Sequence, residues 1–243
     1  MTGRGGGGDP EGLPRQRRGI TPQMHGRYPD FDVLEQTEHW DEVTRRAVLA
    51  RLDPPPLRFF DEAQARTLAA FCDTVMGQDR EPRVPVLRFV DAKLFAGRLD
   101  GFQYQDMPDD RETWRLVARG LDEAAGVRGA TSYADADAEV RLQVCEAFAE
   151  ADLSGGAWAE LSVGHAWAVV MRAVLSAFYS HPWAWNEIGF GGPAYPRGYM
   201  RLGIAQKEPW EGNDDFALDP VPDVRERDLD HPSERRARPD AKR

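Results

Sequence analysis

Apolar residues recur along the middle of this chain at intervals of three and four, the spacing that lines up one face of an α-helix. Leu68, Phe71, Cys72, Val75 and Met76 form such a face, and Asp61 with Gln64 stand ahead of it as an N-cap and its reciprocal partner. Leu87, Val90 and Leu94 repeat the pattern. So do Trp114, Val117, Ala118 and Leu121 after Asp109 and Glu112, and then Val140, Val144, Ala147 and Phe148. From about Ala157 to Tyr179 the chain is apolar on most sides, which predicts a helix packed centrally among the others and stopped by His181-Pro182. An earlier helix runs from about Asp41 to Leu52 and ends at Pro54-Pro55-Pro56, whose nitrogens cannot continue the hydrogen-bond ladder. No stretch alternates with a period of two between turn signals. The expected fold class is therefore all-α, a single bundle-like helical domain.

The two ends read differently. Residues 1 to about 30 hold the Gly5-Gly6-Gly7-Gly8 run, several prolines and scattered arginines, and residues 214–243 are charge-rich and dotted with Pro220, Pro222, Pro232 and Pro239. Neither end carries enough apolar area to offset the entropy of ordering. Both are expected to be disordered tails around a helical domain spanning 31–213.

Composition narrows the function classes. Of 243 residues, 41% are hydrophobic and 30% charged, enough for a sizeable core under a charged surface. The net charge of −10 repels phosphate backbones and anionic lipid, which argues against a nucleic-acid partner. Arg17-Arg18 has no long apolar run behind it, so no signal peptide is read, and the most apolar stretch, Ala166 to Phe178, is too short to span a bilayer. The chain is expected to be cytoplasmic, or periplasmic by co-export with a signal-bearing partner. Cys72 and Cys145 stand far apart, outside any CxxC or CxxCH pair, and are expected as two buried thiols, with a disulfide as the alternative.

Chemistry-bearing patterns are sparse. A strand-GxGxxG-helix unit, which lets backbone amides approach a dinucleotide pyrophosphate, is missing from the sequence. The nearest glycine cluster, Gly189 to Pro193, has the wrong spacing and follows a helix. The five histidines are dispersed, with no pair at the spacing that sets two ligands on one helix face. His165 reads as a hydrogen-bonded core histidine and His181 as a helix terminator, while Glu187 sits in an aromatic segment where burial would raise its pKa. Asp135, Asp137 and Glu139 read as a solvated helix start. No catalytic, cofactor-binding or metal-ligating residue is assigned.

The most informative stretch runs from Tyr179 to Tyr199, through His181-Pro182-Trp183-Ala184-Trp185-Asn186-Glu187-Ile188-Gly189-Phe190-Gly191-Gly192-Pro193-Ala194-Tyr195-Pro196-Arg197-Gly198. Its glycine and proline content reads as non-helical. Its rings are too many for a solvated loop, so they are covered either by the chain's own helices or by another protein. Trp, Tyr and Arg also dominate interface hot spots.

This run, Asn-Glu-Ile-Gly-Phe-Gly-Gly-Pro-Ala-Tyr-Pro-Arg-Gly-Tyr after a His-Pro, resembles the signature of the gluconate 2-dehydrogenase subunit 3 family. Leu99 to Pro108, ahead of Trp114, is similar to that family's loop between two helices, and the resemblance extends from about Phe59 to Trp210. It implies a helical, non-catalytic subunit beside a large flavoprotein dehydrogenase subunit of the glucose-methanol-choline type. That partner would hold the FAD, and a multihaem cytochrome c subunit often takes the electrons. In this reading the chain carries no cofactor itself. Its candidate partner-binding residues are Trp183, Trp185, Asn186, Glu187, Phe190, Tyr195, Arg197 and Tyr199. A free-standing helical enzyme using Glu187, His181 or Arg197, and a general helical scaffold, are the competing readings.

Overall fold

In the computed structural model, residues 32–78, 83–98, 103–199 and 208–212 are described. The expected tails 1–30 and 214–243 lie outside them. Seven α-helices and two 3-10 turns lie among the described residues, with no strand among them. The helices are α1 (Glu42–Leu49), α2 (Glu62–Val75), α3 (Val86–Phe95), α4 (Asp110–Val127), α5 (Ala138–Ala149), α6 (Val163–Phe178) and α7 (Pro182–Ile188). The fold is all-α.

Local chemistry sets most helix starts. Asp41, Asp61, Asp109 and Asp137 each accept the backbone N–H three residues on, satisfying one of the open donors of a first turn. At α2 the return bond from Asp61 N to Gln64 completes a capping box. α1 ends at Leu49, three residues short of the expected Leu52, because the chain passes into a turn ahead of the prolines.

Helices α2 to α6 enclose the main core, whose largest fully buried side chains include Phe71, Trp114, Tyr133, Phe148 and Phe178. α2 lies against α3, α4 and α5, and α6 against α3, α4 and α5. One expected helix proves to be two elements. A 3-10 turn at Gly156–Glu160 precedes α6, because Trp158 folds down onto α4 and donates Nε1–H to Gly120 O at 3.0 Å. A Cβ at position 120 would stand 2.5 Å from that indole, so only glycine lets the ring approach so closely.

Buried polar groups hold the connections. Asp91, fully buried on α3, accepts the backbone N–H groups of Arg58, Phe59 and Phe60 at 2.7, 2.8 and 3.1 Å, which fixes the segment entering α2. Cys72 and Cys145 are buried free thiols, with the Tyr133 hydroxyl 2.9 Å from Cys145 Sγ. Burial pushes the Cys145 thiol up to about 11 and the Cys72 thiol higher still, so both stay protonated and unreactive at neutral pH.

A smaller second core lies outside the bundle. Val33, Trp40, Val48 and Trp185 bury one another, with Leu34 and Phe190 against them. Its walls are a 3-10 turn at Val33–His39, α1 and α7. That turn lies ahead of any apolar period in the sequence.

Candidate functional site

The aromatic segment after α6 contains α7, where the density of glycine and proline predicted no helix. Those residues sit at its boundaries. Pro182 occupies the first turn, where its missing N–H costs nothing, and Gly189 closes the helix in the left-handed conformation at φ 68°. His181 is the N-cap, its Nδ1 accepting the N–H of Trp183 at 3.2 Å. The imidazole is only 1% exposed, its Nε2 has no hydrogen-bond partner among the described residues, and burial together with the nearby Arg51 charge lowers its pKa to about 4. It is neutral at physiological pH and serves the backbone.

Four residues of the segment staple the second core. Trp185, 5% exposed, donates Nε1–H to Tyr179 O at 2.6 Å and meets Phe190 edge to face, with Arg51 over its ring. Asn186 accepts the Val33 N–H at 2.8 Å and donates to Asp32 Oδ1 at 3.1 Å, joining α7 to a turn more than 150 positions away. Gly192, at φ 76°, lies so near Trp40 that a Cβ would stand 2.6 Å from its ring. Gly191 is equally close to Trp210, and Gly212 N–H reaches Gly189 O at 2.8 Å.

The candidate partner-binding residues thus separate. Trp185 and Asn186 are buried, and Trp183 and Phe190 are half-buried. Arg197 donates to Gln36 Oε1 at 2.9 Å and lies 4.2 Å over the Trp210 ring. Tyr195 and Tyr199 are 65% and 62% exposed. Glu187 belongs to α7, but its side chain lies outside the described residues, and Leu99 to Phe102 of the second loop lie outside them as well.

His165 is not a core histidine. It stands in the first turn of α6 with its side chain 42% exposed, its Nδ1 2.9 Å from Asp106 and its ring stacked on Tyr104 at 4.0 Å. Burial works against it, but the hydrogen bond from His165 leads the interactions that hold the Asp106 carboxyl below the usual carboxylate range. The aspartate orients the imidazole, as in general-base dyads. The pair joins the α3–α4 loop to α6 at the surface. An open cleft of about 450 Å³ lies at the end of α4, lined by Glu123, Arg128, Asp152, Leu153 and Trp158. Glu123 there is committed to the Ala157 N–H at 2.8 Å. Among the described residues, no group of three or more His, Cys, Asp and Glu is placed to hold a metal, and no helix is long and apolar enough to cross a membrane.

A family model described as gluconate 2-dehydrogenase subunit 3 matches residues 62–192, more than half of the chain. The chain belongs to the gluconate 2-dehydrogenase subunit 3 family. The matched residues run from the start of α2 to Gly192, taking in the whole main bundle, α7 and the Gly-Gly step against Trp40 and Trp210. Pro193 to Tyr199, with both exposed tyrosines, lie just past the subunit 3 match. Comparison with curated proteins gives no match, and comparison with solved structures gives none.

Proposed function

We propose that this chain is a non-catalytic small subunit that binds and stabilises a flavin-dependent dehydrogenase of the glucose-methanol-choline type, acting on sugars, sugar acids or alcohols. The contact runs through Tyr195 and Tyr199. FAD resides in that large subunit, and a multihaem cytochrome c subunit receives the electrons. Where the complex is exported, this chain travels folded with a signal-bearing partner.

The observation that carries the reading is the division of labour within one segment of a chain of this family. Its tryptophans, asparagine and glycines are spent on internal packing, which leaves two large exposed rings on a stretch tied back through Arg197 to Gln36. Rigid amphipathic rings on an ordered scaffold lose little entropy on docking. A subunit that supplies only surface needs no nucleophile, phosphate cradle or metal cluster. The test is co-expression with an untagged flavin-dependent dehydrogenase of the glucose-methanol-choline type. Retention of that protein with its flavin absorbance supports the reading, and a flavin or haem chromophore carried stoichiometrically by the isolated chain contradicts it.

A further inference from the structure

On a chain of net charge −10, three arginines gather where α3 ends beside the start of α4. Arg58 lies 4.2 Å over the Phe95 ring, and Arg115 and Arg111 lie 4.5 and 5.8 Å over the Phe59 ring. Arg111 is held by two backbone carbonyls, Leu94 O at 2.9 Å and Phe95 O at 3.4 Å. No carboxylate among the described residues forms an ion pair with Arg58 or Arg111, and Arg115 has only Glu112 at 3.6 Å. The buried Asp91 beneath them is already occupied by three backbone N–H groups. Beside the arginines, Phe95 and Leu57 are 48% and 38% exposed.

Like charges gathered on one face repel one another, and among the described residues Glu112 is the one carboxylate that forms an ion pair with any of the three. Arg58, over the Phe95 ring and with no side-chain hydrogen bond among the described residues, keeps a guanidinium edge that can receive a carboxylate with two parallel hydrogen bonds. Exposed apolar side chains among arginines match the composition of interface centres. The negative field of the rest of the surface disfavours long polyanions and leaves a short acidic protein segment as the fitting occupant. We propose that Leu57, Arg58, Phe95, Arg111 and Arg115 form a docking surface for a carboxylate-rich segment of a partner protein.

The test titrates the full chain at low salt with a synthetic peptide of glutamates spaced by leucines, and with its glutamine counterpart. The wild-type chain binds the glutamate peptide alone, and the Arg58→Glu, Arg115→Glu double variant binds it at least about tenfold more weakly, since both sites change sign. Should that variant lose cooperative unfolding, Arg58→Gln with Arg115→Gln carries the comparison. Absence of binding, equal binding by the variant, or equal binding of the glutamine peptide overturns the proposal. Full competition by inorganic phosphate overturns it in favour of a small-anion site. Hydrogen-exchange protection of the acidic stretch Asp214 to Asp230 that the variant abolishes gives the surface to the chain's own sequence, which also overturns it.

Discussion

The two halves of the signature segment are built from similar letters and do different physical work. From Trp183 to Gly192 the tryptophans, Asn186 and the paired glycines face inward and join α7 to the N-terminal turn, α1 and the Trp210 turn. From Ala194 to Tyr199 the rings face outward, with Arg197 alone tied back to Gln36. A hot-spot composition is therefore not by itself an interface. Trp185 has the right chemistry for docking and the burial of a core residue, whereas Tyr195 has the same chemistry and is open to solvent.

This comparison orders the effects of substitution. Trp185→Ala removes a buried indole from a small core and leaves a cavity. It is expected to cost about 3–5 kcal/mol, read as a lower midpoint in chemical denaturation. A cost below about 1 kcal/mol would mean that the inner half is not structural.

Acidification probes the same half through His181. Its pKa is about 4 in the folded chain against an ordinary value near 6.5, so between those values the unfolded chain binds more protons. Stability is complete above about pH 6.5 and falls as pH drops toward 4, by up to about 3 kcal/mol from this residue. Protonation also ends the ability of Nδ1 to accept from Trp183 N. His181→Asn keeps a capping acceptor and should flatten that part of the pH profile. An unchanged profile in the variant would remove His181 from the account.

Asn186→Ala strands the Val33 N–H and the Asp32 contact, for an expected loss of about 1–3 kcal/mol. Thermal unfolding detects it, and near-wild-type stability would separate the N-terminal turn from α7. At the small end, Tyr195→Ala and Tyr199→Ala should each change stability by less than about 0.5 kcal/mol, as for exposed side chains without a structural role.

Much of the bundle was legible from the chain because its signals are local. The apolar faces of α2 to α5 and the Asp61–Gln64 capping box need only neighbours three and four residues apart. α7 is hidden in the sequence because proline and glycine read as helix breakers, although at the first turn and just past the last they are helix boundaries. The inward turn of Asn186 and Gly192 depends on Val33 and Trp40, about 150 residues away, which no window along the sequence reports. The pairing of His165 with Asp106 across 59 positions was illegible for the same reason.

The central claim is that the outer half of the segment binds the dehydrogenase while the inner half only folds. It is tested most directly by the affinity of the Tyr195→Ala, Tyr199→Ala double variant for the flavoprotein, measured beside its melting temperature. The expected result is at least about a tenfold loss of affinity with melting unchanged within a few degrees. Parental affinity, or a weakened complex explained by a matching loss of fold stability, would contradict it.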